Sequence, residues 1–181
     1  NCEAENSYKE KGIDSKQLNA RQVFAKLQGP IPKDDIKKPN RCSDDAPSNI
    51  NVYTDGSRLH GRKPVWALCA AGVWWPSRNA DDMSEAALEI ANWQQTDKGL
   101  RTYTSLPGFG GSSTRAELCA GILAIAADHA VHIATDSQAF LDKALYVLNM
   151  CKQGKQPRKP WGLQTDGDLW RIFHDFAKAK G

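Results

Sequence analysis

Three acidic residues in this chain stand where acids can share work. Asp55 lies in Tyr53-Thr54-Asp55-Gly56-Ser57, directly after a short β-rich run from Ile50 to Thr54. Glu117 lies in Ser113-Thr114-Arg115-Ala116-Glu117-Leu118, in the first turn of a helical pattern. Asp136 lies in Ala134-Thr135-Asp136-Ser137-Gln138, at the end of a second β-rich run. Singly, each has a plainer reading. Asp-Gly-Ser is a turn signal, Thr-Asp-Ser is a helix cap, and a first-turn glutamate is favoured by the helix dipole. Together they converge. If the two runs pair as parallel strands across the intervening helix, their C-terminal ends present Asp55 and Asp136 at one sheet edge, and a glutamate near the helix start reaches that edge. Three carboxylates at one point repel each other unless cations sit between them. Oxygen-only ligands select hard ions, so Mg²⁺ or Mn²⁺ is the expected cofactor. Two such ions about 4 Å apart can activate a water and stabilise the leaving oxygen of a phosphodiester. No Ser-His-Asp or Cys-His arrangement competes for the same place.

The elements that would position these acids begin after a polar arm. Residues 1–48 read as an N-terminal segment, with one short helix capped by Asp14 or Ser15. Leu18, Val23, Phe24 and Leu27 share its apolar face, and Gly29-Pro30 stops it. A linker with three prolines follows and places a domain boundary near Ser48. In the domain, residues 49–181, strands are expected at Ile50–Thr54, Val65–Trp75, Leu100–Leu106 and Val131–Thr135. Ser84–Gln95 has helical spacing with a partial cap at Ser84. Pro107 to Gly111 reads as a flexible turn. A helix capped by Ser113 or Thr114 runs to Ala127, another spans Ser137–Asn149, a loop covers Pro157–Thr165, and Asp168 opens a last helix to Lys178. The order β-β-β-α-β-α-α predicts an α/β domain with a mixed sheet.

Composition is that of an ordinary soluble globular protein, with 40% hydrophobic and 25% charged residues. No stretch approaches the roughly 20 apolar residues of a membrane span, so no membrane partner is expected. The first residues do not read as a signal peptide. The five cysteines (Cys2, Cys42, Cys69, Cys119, Cys151) are scattered, with no Cys-x-x-Cys, which argues against a disulfide framework or zinc site. Cys69 and Cys119, in apolar surroundings, read as buried thiols. The expected location is intracellular, cytoplasmic or nuclear. The net charge of +3 names no partner. Its distribution is more specific: Lys143, Lys152, Lys155, Arg158 and Lys159 occupy a stretch to Leu163 without one acid, a pattern that suits a polyanion.

The three acidic motifs, with Gly167-Asp168-Leu169-Trp170, resemble the type 1 ribonuclease H domains, in the variety associated with retroelement reverse transcriptases. The likeness spans about residues 49–181. It implies the ribonuclease H-like fold and endonucleolytic hydrolysis of the RNA strand of RNA–DNA hybrids. It also implies two metal ions on Asp55, Glu117 and Asp136, and a reverse transcriptase domain in the same polyprotein as partner. Substrate contacts fall by resemblance on Gly56, Ser57, Ser113, Thr114, Arg115 and Gln138. The stretch Lys152, Lys155, Arg158, Lys159 and Trp161 is placed like the family's basic handle, which holds the DNA strand's phosphates. Trp161 could stack on a sugar or anchor the loop, and Trp170 reads as core.

Two departures accompany the likeness. Residues 77–98 read as an insertion. The family also continues past its penultimate helix into a further strand, a histidine loop and a helix bearing a fourth aspartate, so the C-terminal strand and helix are expected to be missing from residues 1–181. His174 does not match the loop histidine, and Asp166, Asp168 and Asp175 read as loop, cap and surface residues. The alternative from another class is a ribonuclease H-like module that binds nucleic acid without cutting it. A third, an integrase- or exonuclease-like member, lacks the combined wording of the three motifs.

Overall fold

A computed structural model of the chain describes residues 36–59, 68–106 and 112–181. The helix expected over Leu18 to Leu27, the start of the second strand and the Pro107–Gly111 turn lie outside the described residues. In chain order the elements are β1 (Val52–Leu59), β2 (Leu68–Trp75), α1 (Glu85–Ile90), β3 (Asn92–Thr96), β4 (Gly99–Leu106), α2 (Ser113–Ile125), β5 (Ile133–Ala134), α3 (Gln138–Lys152) and α4 (Gly167–Lys180). Single 3₁₀ turns stand at Ala80–Asp82 and Trp161–Leu163.

β1 alternates as a one-sided strand should: Val52 and Thr54 are buried, Tyr53 and Asp55 exposed. It pairs antiparallel with β2 and parallel with β5, and the sheet order is β3-β4-β2-β1-β5. The α/β class and the mixed sheet therefore hold.

The expected order β-β-β-α-β-α-α does not. The segment expected as one helix, Ser84–Gln95, holds a six-residue helix followed by a strand. Ser84 does cap α1, accepting from Ala87 N at 3.0 Å. At Ala91 the backbone turns extended (φ −135°, ψ 147°), and Asn92-Trp93-Gln94-Gln95-Thr96 then pairs antiparallel with β4. The hairpin is closed by Gly99 at φ +141°, a conformation that side chains rarely adopt. The reading failed because a short polar run without alternation carries no β signal of its own, and pairing decides it.

α2 is buried all round from Ala116 to Ile125, as befits a helix covered on both sides. Ala116, Cys119, Ala120, Leu123 and Ala124 pack on Val52, Ala71, Val73, Trp75 and Leu100 of the sheet. Leu118, Ile122 and Ile125 join Phe140, Ala144 and Val147 of α3 and Trp170, Phe173 and Phe176 of α4. The Phe140 and Trp170 rings lie 6.2 Å apart and nearly parallel, with Phe173 edge-on to both. Trp170 is thus core, as read. Cys69 and Cys119 are buried free thiols, and burial pushes the Cys119 thiol up to about 12.

Residues 36–51 carry no regular element but lie against the domain. Asn40 bonds Asp128 through its backbone N–H (2.8 Å) and its side-chain amide (2.9 Å). The Cys42 N–H donates to Lys180 O at 3.0 Å. Among the described residues no helix is long and apolar enough to cross a membrane.

Candidate active site

Asp55 does not follow β1, as the sequence reading has it; it lies inside the strand, which runs on to Leu59. The parallel register Val52↔Ile133 and Tyr53↔Ala134 brings β5 alongside the first half of β1. Two residues beyond Tyr53 and two beyond Ala134 stand Asp55 and Asp136. This junction is laced by side chains. Thr54 Oγ1 donates to Ala134 O at 3.2 Å. Asn51 receives the His132 N–H at 2.8 Å and donates its amide to Ala130 O at 3.1 Å. Beyond Asp136, Ser137 caps α3 by accepting from Phe140 N at 3.3 Å.

Glu117 reaches the same edge from α2. Its helix is capped by neither Ser113 nor Thr114 but by Ser112, whose Oγ accepts the Arg115 N–H at 3.0 Å. What lets the helix approach β1 is Gly56. A Cβ there would stand 2.3 Å from the Glu117 backbone N and 2.5 Å from the Ala116 carbonyl carbon.

Asp55 and Asp136 are exposed, but Glu117 is only 8% exposed, and its Oε2 has no hydrogen-bond partner. Burial raises the Glu117 pKa, and the negative charges of Asp136 and Asp55 raise it further; the adjacent Gly56 N–H works in the opposite direction. A buried carboxylate with one oxygen unpartnered, pressed by two more, is a destabilising arrangement that a cation would relieve. Among the described residues no three such side chains stand close enough together to hold an ion as they are. The donor chemistry nonetheless fits a hard divalent ion, since all three groups offer oxygens alone and Glu117 Oε2 is uncommitted.

The residues expected to touch substrate fall into two groups. Ser57 and Ser113 are exposed, and Gly56 and Thr114 half-buried, around the acids. Gln138 is exposed and donates to Asp142 at 2.7 Å. Arg115 is differently placed. Its guanidinium bonds Asp168 at 2.8 and 2.5 Å and Asp166 at 3.1 Å, which holds its pKa above the ordinary value and that of Asp168 below. The aspartates read as loop and cap residues are its partners; Asp166 stands at the N-cap of α4 without any side-chain cap bond. No local pattern could have joined residues about fifty positions apart.

Lys152, which ends α3, and Lys155, Arg158 and Lys159, between α3 and the 3₁₀ turn, are all exposed. Trp161 is half-buried, its ring 5.6 Å from the buried His174, which anchors the end of the basic loop. Lys143 stands apart from them, its ammonium 4.7 Å from the centre of the Trp170 ring.

No family model, no curated protein and no solved structure matches this chain.

Proposed function

We propose that the chain is a ribonuclease H-like nuclease that hydrolyses the RNA strand of RNA–DNA hybrids, working beside a reverse transcriptase domain in an intracellular retroelement polyprotein. The observation that carries this reading is the Glu117 carboxylate, buried and with its Oε2 unpartnered, with the charges of Asp55 and Asp136 close enough to raise its proton affinity. The mixed sheet with β5 parallel to β1 is compatible with the ribonuclease H-like architecture that the motifs suggest.

Asp55, Glu117 and Asp136 would hold the metals. Bound there, two Mg²⁺ or Mn²⁺ ions supply an activated water and charge neutralisation at the scissile phosphate. Glu117 would hold them from the buried side, and Asp55 and Asp136 from the exposed sheet edge. Ser57, Ser113 and Gln138 stand exposed near them, with donors and acceptors for the minor-groove 2′-hydroxyls that distinguish RNA from DNA. The exposed cations of the basic loop suit the phosphates of the other strand.

The second reading is a binding module without catalysis, and one observation favours it: the described acids are not already drawn together as an ion-binding group. The deciding assay labels each strand of a hybrid separately and follows both in Mg²⁺ and in Mn²⁺, with the polypeptide as its gene encodes it. Shortening of the RNA strand alone is the expected result. Tight hybrid binding with both strands intact would establish the binding module instead.

The basic loop supplies an independent check. Changing Lys152, Lys155, Arg158 and Lys159 to glutamine is expected to weaken hybrid binding whatever the base sequence. The slope of log affinity against log salt should flatten by roughly 0.7–0.9 for each phosphate that the loop ceases to neutralise. Fluorescence anisotropy titrations at several salt concentrations measure it, and an unchanged slope would leave the loop an ordinary solvated surface.

A further inference from the structure

We infer that Arg115 is a positioning residue, which fixes the basic loop in register with the acids through Asp166 and Asp168 rather than gripping nucleic acid itself; the inference rests on the nuclease reading above. An arginine two residues before Glu117 and beside a polyanion site would ordinarily be assigned to a phosphate. Its geometry points elsewhere. The side chain is 17% exposed and forms a two-pronged pair with Asp168, plus a bond to Asp166, whose side chain is 14% exposed. Such fork-to-carboxylate pairs are the strong, directional members of their class. Two carboxylates on one guanidinium leave it no net positive charge to offer a phosphate.

What the pair connects gives it a role. On one side, Arg115 sits in the first turn of α2, whose next turn carries Glu117. On the other, Asp166 and Asp168 flank Gly167, which opens α4. Gly167 lies so close to the end of the basic loop that a Cβ on it would stand 1.7 Å from the Trp161 carbonyl oxygen. Gln164 ties the same turn back to the loop, donating to Lys159 O at 2.7 Å and accepting the Gly167 N–H at 3.1 Å. Asp166 itself holds φ 53°, a backbone conformation that costs energy in a residue with a side chain. A connected path therefore runs from Lys159 through Gln164, Gly167 and Asp168 to Arg115, and two residues on to Glu117. Without the Arg115 pair, the loop keeps its charges but loses its fixed distance from the acids.

The two roles for Arg115 give opposite signs for one substitution. If Arg115 grips a phosphate, Asp168→Asn removes a competing carboxylate and a repelling charge, and hybrid binding tightens. If Arg115 positions the loop, Asp168→Asn loosens the loop and binding weakens despite the more favourable charge. We expect Asp168→Asn and Arg115→Gln each to weaken hybrid affinity about tenfold. The double variant should be no worse than either alone, since both break one unit. Arg115→Lys, which keeps the charge but not the fork, should rescue little. Amide exchange of residues 159–168 should quicken in all four variants, at temperatures where α2 and α3 remain protected. That readout needs no nucleic acid, so it separates the outcomes. Tighter binding by Asp168→Asn, or unchanged exchange at 159–168, would overturn the positioning role. A native protein that binds no hybrid, with exchange quickened as expected, would overturn the nuclease reading and leave the clamp standing.

Discussion

Gly56→Ala is expected to lower the melting temperature by about 10 °C. The new Cβ would stand 2.3 Å from the Glu117 backbone N and 2.8 Å from its Cα. Ordinary contact is about 3.5 Å or more, so β1 and α2 must part by roughly an ångström. No side chain can swing aside, because the obstacles are backbone atoms near the start of α2. Overpacking of this kind costs about 3 kcal/mol or more, against a stability of about 5–15 kcal/mol for a whole domain. For a chain of this length that corresponds to the shift stated. Gly162→Ala is the control, since nothing lies within 4 Å of a Cβ there. Thermal melts followed by circular dichroism decide it, and equal melting temperatures for the two variants would refute the close approach of β1 and α2.

Glu117→Gln is expected to act in opposite directions with and without metal. In the folded chain, burial and the charges of Asp136 and Asp55 raise the Glu117 pKa above its ordinary 4.5. Between 4.5 and the folded value the folded state carries more protons than the unfolded chain, so stability falls as pH rises through that window. Ionisation of this carboxyl in the folded chain is therefore a burden. Glutamine cannot ionise, so without metal the variant should melt a few degrees higher than the native chain and lose stability less steeply above about pH 4.5. Divalent metal reverses the ranking. A ligand at about a hundred times its dissociation constant stabilises by about 2.7 kcal/mol, and the variant should gain little of this. On the nuclease reading, cleavage should fall by about a thousandfold, equivalent to about 4 kcal/mol of metal-borne stabilisation. Melts across pH, with chelator and with Mg²⁺ or Mn²⁺, test the first part without any activity. If metal stabilises both proteins equally, Glu117 is not a ligand.

What could be read from the sequence was whatever has a short period. The alternation of Val52, Tyr53, Thr54 and Asp55 marks β1, Ser137 marks the start of α3, and Leu118, Ile122 and Ile125 mark one face of α2. The other face of α2 is built of Ala116, Ala120 and Ala124, small residues whose role shows only when a sheet closes on them. β3 was invisible for a related reason: Asn92 to Gln95 are all exposed, so no buried face imposes a pattern. At the site, the three acids were legible because each ends or interrupts a periodic element. The Arg115–Asp166–Asp168 cluster was not. Its members are joined through space, and their local neighbourhoods read as a helix start and a loop.

The place of α1 and β3 has a consequence for how this fold can diverge. β3 lies at one margin of the sheet and β5 at the other. Four strand spacings of about 4.8 Å put roughly 19 Å between those margins, twice the distance over which exposed charges feel each other in physiological salt. α1 is tied to the far end of α2, where Ser84 Oγ donates to Ala126 O at 2.6 Å, about 13 Å along the helix axis from Glu117. One helix thus serves two territories with separate tenants. Changes of length or charge around residues 77–98 can accumulate at one end of α2 while the acids at the other keep their spacing, so that segment is free to vary at a different tempo from the acidic edge.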